Sequence, residues 1–475
     1  MRRSALFLAL CHAITACAGA QPRGVLRTQT TTVVAGNPRG VVQRTAVTTR
    51  WLQGAPVQTR VLSTDAQESW VGLWVDPPAV VEQVVRAPVD VALVVDTSGS
   101  MAGAKIQNAR TAAASFIQSL AEGDIVSLYA FSDGVTELAA PTLVNAASRA
   151  VLLSRVQQLV PTGSTNLYDG LRVGTMATAS APASHAVRRV VVISDGRANV
   201  GPSSAAALGD LAAQSTENGT QVTAIGVGLD YDEATLGALA VRSAGRLYHL
   251  EEPSQMAAIL QGELDLLGQT VAANAYLEVE ADEGVSLDAD AQLRVDRRGN
   301  VLRIPLGSLY AGQRREVLLH TRLPGGLRGA RTLASARLRF EDPRDPSRVH
   351  AEAVDLRVEP TEDAAAARSS ANERVVAMVA SREAAAAQLR ASQYVNNGQM
   401  AEADAELQRA EARLRSTATQ YEFSDDRVQG ALLRQAQSVS TGRAAVRHAA
   451  SAPSPVARRA ASLHNSAAAM HDMGY

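Results

Sequence analysis

The sequence has two cysteines, Cys11 and Cys17, and both lie within residues 1–20. A mature chain that has shed or lipidated this stretch has no internal disulfide even in an oxidising compartment, so its stability rests on packing. Lysine is scarcer still. Lys105 is the only one, every other basic side chain that carries a fixed charge being arginine, a bias read as codon usage in a GC-rich genome. Charge of one sign is missing too: the formal net charge is -1 over 475 residues, which leaves no field to draw in nucleic acid. Past the N-terminus no apolar run reaches the length of a membrane-spanning helix. A Gly-x-Ser-x-Gly elbow, a Walker loop and a His-Glu-x-x-His segment are all absent, which removes the usual sequence grounds for an enzyme.

What is present begins with Met1-Arg2-Arg3 and the apolar run Ser4 to Leu10, the n-region and h-region of an export signal, too short to span a bilayer. Ile14-Thr15-Ala16-Cys17 follows and resembles the bacterial lipobox, which implies acylation of Cys17 as the first mature residue. Ordinary cleavage near Ala18-Gly19-Ala20 is the alternative, and His12 interrupts the apolar run. Both routes export the chain, to the periplasm or beyond. Ala18 after the cysteine lacks the aspartate that retains many lipoproteins in the inner membrane, so an outer-membrane lipoprotein is the expectation.

The length calls for several cores. Residues 21–87 alternate in Val33-Val34, Val41-Val42, Val47, Trp51 and Val57, reading as short strands. From 88 to 268, β-runs alternate with helical patterns. Val89 to Val95 is a nearly continuous apolar run, broken only by Asp90, as in a parallel strand covered on both faces, and Ala104 to Leu120 places Ile106, Ala109, Ala113, Phe116, Ile117 and Leu120 on one helical stripe. Further strands at 125–131, 187–193, 222–227 and 246–250, with helices at 167–179, 203–216, 231–241 and 255–267, specify a doubly wound parallel-sheet α/β domain. Alternation returns over 269–360 and predicts an antiparallel β-sandwich, which the N-terminal strands either join or leave to itself. Residues 361–448 read as a helical hairpin turning at Asn396-Asn397-Gly398, plain or of tetratricopeptide type, and 449–475 as a flexible tail.

The chemical signal is Asp96-Thr97-Ser98-Gly99-Ser100-Met101, directly after the Val89–Val95 run and before the amphipathic helix. In an open parallel sheet such a loop borders the crevice at the carboxyl ends of the strands. Asp96, Ser98 and Ser100 then direct oxygens into one small volume. Read by themselves, these residues are equally suited to capping the next helix.

The loop resembles the metal-ion-dependent adhesion site of von Willebrand factor type A domains, whose first element is Asp-x-Ser-x-Ser. Thr165, in Gly163-Ser164-Thr165-Asn166-Leu167, occupies the position of that family's ligating threonine, although Ser164 replaces the glycine often found before it. Asp195, in Ile193-Ser194-Asp195-Gly196, occupies the position of its second aspartate. Asn166 and Asp169 read as helix-start residues. The resemblance spans Pro88 to Gly268. Leu306-Gly307-Ser308-Leu309, Gly312 and Val317-Leu318-Leu319 are similar to the sandwich that accompanies such domains in bacterial envelope proteins, and the chain as a whole resembles envelope lipoproteins of this family.

Oxygen donors without thiolate or imidazole select a hard cation, Mg²⁺ first, with Mn²⁺ or Ca²⁺ as alternatives. The resemblance implies that the ion accepts a Glu or Asp from a partner protein, so a metal-dependent binding module without catalysis is expected. Two alternatives stand beside it. One is a structural envelope subunit whose metal only stabilises the α/β domain. The other is a hydrolase of the haloacid dehalogenase type with Asp96 as nucleophile, but Ser98 stands where the second aspartate is needed. Tyr129, Tyr168 and Tyr231 are candidates for the rim of the site.

Overall fold

A computed structural model describes residues 50–475 apart from Asp65, 80–85, 290–292 and Tyr475. The export-signal region, Cys17 and the expected strands before residue 50 lie outside the described residues. Among the described residues three strands come first: β1 (Leu52–Pro56), β2 (Arg60–Leu62) and β3 (Gln67–Val75).

The α/β unit follows in the order β4 (Val89–Asp96), α1 (Ala104–Ser119), β5 (Ile125–Phe131), β6 (Val135–Leu143), α2 (Ala146–Val156), α3 (Leu167–Ala179), β7 (Val187–Ser194), α4 (Ala205–Ser215), β8 (Thr220–Val227), α5 (Glu233–Arg242), β9 (Arg246–Leu250) and α6 (Met256–Gly268). Its six strands lie in the order β6-β5-β4-β7-β8-β9. Every residue of β4, β5 and β8 is buried, because helices cover both faces. Along β4 the side chains divide by alternation. Val91, Leu93 and Val95 join Ile106, Phe116 and Leu260 on one face, while Ala92 and Val94 join Leu171, Leu208 and Leu236 on the other.

Four neighbouring strand pairs are parallel, and β6 runs antiparallel to β5 at the edge. Periodicity does not mark β6 or α2. In β6 only Leu138 is buried, and Pro141 is tolerated because the strand has an open side. In α2 only Leu152 and Val156 are buried, and the helix is started by an Asn145 and Ser148 capping box.

Beyond it come β10 (Thr270–Ala281), β11 (Ser286–Ala289), β12 (Asp296–Arg298), β13 (Val301–Tyr310), β14 (Arg315–Leu323), β15 (Arg331–Asp342) and β16 (Asp345–Thr361). One sheet has the order β1-β3-β14-β11, the other β12-β13-β10-β15-β16-β2. Strands from before the α/β unit thus pair with strands from after it: β3 antiparallel to β14, and β2 parallel to β16. The α/β unit is an insertion in a sandwich. Leu52, Val71 and Leu73 share a core with Leu277, Ile304, Leu319 and Leu338, and Trp51 stacks on Phe340 with ring centroids 4.7 Å apart.

The insertion is fixed by its lower end. Gln221, near the start of β8, accepts Ser308 N at 3.0 Å, and Arg189, near the start of β7, donates to the Tyr310 hydroxyl and pairs with Glu263 at 3.3 Å. The carboxyl ends of the same strands therefore point away from the sandwich.

The helical part departs from expectation. It contains α7 (Ala364–Ser369), α8 (Glu373–Asn396), α9 (Met400–Gln420), α10 (Asp426–Ser451) and α11 (Pro455–Asp472). α8 and α9 turn at Gly398, whose φ of 79° suits glycine. The hairpin is half of a larger bundle, and the described residues of the expected flexible tail 449–475 are instead the end of α10 and the whole of α11. Ser454 caps α11 by accepting Ala457 N at 3.0 Å, with Pro455 in its first turn. The alanine- and serine-rich composition that suggests looseness is what lets these helices approach closely. Ala384, Ala391, Ala403 and Ala436 are buried between them, and the Ser392 and Ser462 hydroxyls meet at 2.8 Å. Leu463 of α11 enters the α/β core, and α8 covers Trp74 and Leu318 of the smaller sheet with Val375 and Met378. Among the described residues no helix is long and apolar enough to cross a membrane.

Candidate metal centre

Asp96 is the last residue of β4 and is fully buried. Its Oδ1 accepts Ser98 N at 2.8 Å and its Oδ2 accepts Ser194 Oγ at 2.6 Å, so one carboxylate ties the ends of β4 and β7 together. Burial raises its pKa above the ordinary carboxylate value. The Ser194 and Ser98 hydrogen bonds oppose that shift, and the charge of Asp195 adds to it.

Ser98 and Ser100 stand at the turn that leads into α1. Neither the three-residue turn after Ser98 nor α1 has a side-chain cap, the residue before α1 being Gly103. The hydroxyls face the carboxylates instead: Ser98 Oγ hydrogen-bonds Asp96 and lies 3.0 Å from Ser100 Oγ, and Ser100 Oγ donates to Asp195 Oδ1 at 2.6 Å. Helix capping thus leaves both hydroxyls unclaimed.

Thr165 arrives from the loop before α3. That loop is braced by Thr162 N to Thr97 O at 2.6 Å and Gly99 N to Gly163 O at 3.1 Å, and Asn199 grips Thr165 by accepting its N–H at 2.8 Å and donating to its carbonyl at 3.0 Å. Gly163 has φ 68°, and a Cβ there would collide with the Asp133 carboxylate, which accepts Ser164 N at 2.9 Å. Above Gly196, Thr165 Oγ1 and Ser100 Oγ approach one point, at 3.5 and 3.6 Å from the position a Cβ would take. Asp195, Asp96, Ser98 and Thr165 are at most 4% exposed while Ser100 is exposed, so the cluster has a sealed floor and an open top.

All five expected residues, Asp96, Ser98, Ser100, Thr165 and Asp195, therefore gather at the carboxyl end of the sheet. Asn166 caps α3 by accepting Asp169 N at 3.2 Å, as a helix-start residue does. The tyrosines fall elsewhere. Tyr129 and Tyr231 are buried in the core and Tyr168 packs partly against it, because their rings are worth more in apolar contact than at a polar rim.

Codon usage does not account for one residue. Lys105, in the first turn of α1, donates from Nζ to Asp195 Oδ2 at 2.5 Å. The signal was its uniqueness together with its place one helical turn after the serines. The residues fit a hard cation: two carboxylates and three hydroxyls converge, and an ammonium already stands as a cation against one carboxylate. Among the described residues no group of three or more His, Cys, Asp and Glu side chains is placed to hold a metal, so a softer or all-carboxylate centre has no counterpart there.

Residues 90–262 match the model of the von Willebrand factor type A domain. The chain carries a von Willebrand factor A domain. Similarity extends past that domain. The solved structure of a von Willebrand factor type A protein from Catenulispora acidiphila shares the fold with a TM-score of 0.66 at 17% identity, over 82% of this chain and 89% of that one. An uncharacterized protein of Synechocystis sp. is 25% identical over 269 residues, 54% of this chain and 63% of its own length. The inter-alpha-trypsin inhibitor heavy chain H3 of Mesocricetus auratus is 28% identical over 208 residues, 42% of this chain and 23% of its own length. The chain thus spans less than two thirds of these curated relatives.

Proposed function

We propose that the von Willebrand domain holds a divalent cation, Mg²⁺ in the first place and Mn²⁺ or Ca²⁺ as alternatives, and uses it to capture a Glu or Asp of a partner protein, with no catalysis of its own. Asp96, Ser98, Ser100, Thr165 and Asp195 would hold the ion. The observation that carries this reading is that the Ser98 and Ser100 hydroxyls take no part in helix capping and meet each other beside the two buried carboxylates, with Ser100 Oγ on Asp195 at the exposed side. The bound ion supplies an electrophilic position for an anionic oxygen. Two carboxylates formally balance a divalent cation, and the three neutral hydroxyls leave it an electrophilic coordination position for a further anionic oxygen.

On the same reading the chain is exported and works in the bacterial envelope, with Cys17 as its lipid anchor and the outer membrane as its site. Signal cleavage without acylation would leave it periplasmic or secreted. The sandwich then acts as the mount and the domain as the reader of a partner.

Calorimetric titration of Mg²⁺, Mn²⁺ and Ca²⁺ into the metal-stripped full chain, beside Asp96→Ala checked for fold by circular dichroism, tests the proposal. Saturable binding that disappears in the variant supports it. If the wild type binds no cation, metal-mediated capture is excluded. If it binds cation but captures partner equally well with Asp96 replaced, the metal is structural.

A further inference from the structure

Both oxygens of Asp195 are engaged from within the chain, Oδ1 by Ser100 Oγ at 2.6 Å and Oδ2 by Lys105 Nζ at 2.5 Å. Asp195 is fully buried, whereas the Lys105 side chain is 24% exposed and runs from the surface down to it. Its path is lined by Gly228. A Cβ there would lie 3.8 Å from both Cε and Nζ of Lys105, and the φ of 78° at Gly228 disfavours any larger residue. In a chain whose other fixed basic charges are all arginine, this site has the one lysine. A planar, forked guanidinium would not enter in the same way.

We infer that Lys105 is a tethered counter-cation that sets the metal affinity of the site and keeps the loaded site positive. This rests on the metal-binding reading above. Without metal, the ammonium neutralises one of two buried carboxylates that would otherwise repel each other, so the oxygens are held ready. With a divalent ion present, the same ammonium repels it. Asp96, Asp195 and Lys105 together carry one net negative charge, and a divalent ion takes the site to one net positive charge. Replacing Lys105 by a neutral residue would leave the loaded site neutral. Lys105 thus opposes metal entry and afterwards favours a carboxylate ligand over a neutral one.

The experiment is calorimetric titration of Mn²⁺ into the full chain, wild type against Lys105→Met and Lys105→Gln, with thermal midpoints recorded in EDTA and in saturating Mn²⁺. Like charges a few ångströms apart at the edge of a protein interior interact strongly enough that both variants should bind Mn²⁺ about tenfold more tightly or better. Their midpoints should fall in EDTA and recover in Mn²⁺ by a larger shift than the wild type shows. A merely structural lysine would lower the midpoint without tightening Mn²⁺ binding. Wild-type binding with equal or weaker affinity in both variants overturns the role of Lys105 and leaves the metal site standing. No Mn²⁺ binding in the wild type or either variant overturns both readings.

Discussion

Arg459 of α11 holds Glu233 of α5 with two nitrogens, Nη1 to Oε1 at 3.0 Å and Nη2 to Oε2 at 2.5 Å. The same guanidinium donates to the carbonyls of Leu229 at 2.8 Å and Tyr231 at 2.5 Å. The loop after β8 is thus pinned by the last helix of the chain, and that loop begins with Gly228, the residue that makes room for Lys105. The helical bundle and the candidate metal centre therefore share a wall.

Replacing Arg459 by alanine should free this loop. The pair is about four-fifths buried, and the variant leaves two carbonyls and a carboxylate without their donor. A loss of about 1–3 kcal/mol is expected in chemical denaturation. Hydrogen exchange should accelerate over 228–233 first. An unchanged exchange pattern there would show that α11 does not constrain the loop.

Much of this architecture is legible in the sequence, and the exceptions have physical reasons. β5, β9 and α3 fall on the expected residues because each is an apolar run or stripe with a clear boundary. β6 and α2 escape because each buries too few side chains to produce a period. α11 escapes because Ala and Ser lie between apolar and polar, and their burial depends on neighbours that no local pattern names. The five site residues are readable from spacing and family resemblance. Lys105 is not, since its meaning comes from Asp195, ninety positions away in sequence.

At the opposite end of β4, Asp90 is 1% exposed and its Oδ2 has no hydrogen-bond partner. Burial pushes its pKa up to about 7, against the pull of Arg188. A folded-state pKa above the unfolded value means that the native state holds the proton more tightly. The stabilisation is complete below the ordinary value of 3.8, shrinks as pH rises and is gone above about 7. Asp90→Asn removes the charge at all pH values. It should stabilise the protein at pH 8 by about 1–4 kcal/mol relative to its effect at pH 4, read from urea midpoints at the two pH values. A pH-independent difference would mean that Asp90 is solvated in the native state.

Arg189 and Glu263 form an ion pair in which both side chains are fully buried. Glu263 also accepts Thr223 Oγ1 at 2.6 Å and the Tyr248 hydroxyl at 3.0 Å. Glu263→Ala should cost about 3–5 kcal/mol, because it strands a buried guanidinium. Arg189→Met combined with Glu263→Leu should recover more than half of that loss, since a well-packed apolar pair has no charge to desolvate. Denaturation of Arg189→Met, Glu263→Leu and the double variant gives the coupling, and additive losses would show that the two charges do not depend on each other.

Gly196 offers a way to test the floor of the metal centre without touching a ligand. A methyl group there meets Thr165 Oγ1 at 3.5 Å and Ser100 Oγ at 3.6 Å, ordinary contact distances that the folded chain can accept. The backbone at this position has no positive φ to disfavour alanine. Gly196→Ala should therefore change stability by no more than about 1 kcal/mol. The methyl group nevertheless reaches toward the space between two hydroxyls that would have to converge on a cation. Mn²⁺ affinity should fall at least tenfold while the thermal midpoint in EDTA stays near that of the wild type. Undiminished affinity would place the ion away from the gap between Thr165 and Ser100, and so separate these two oxygens from the coordination proposed for them.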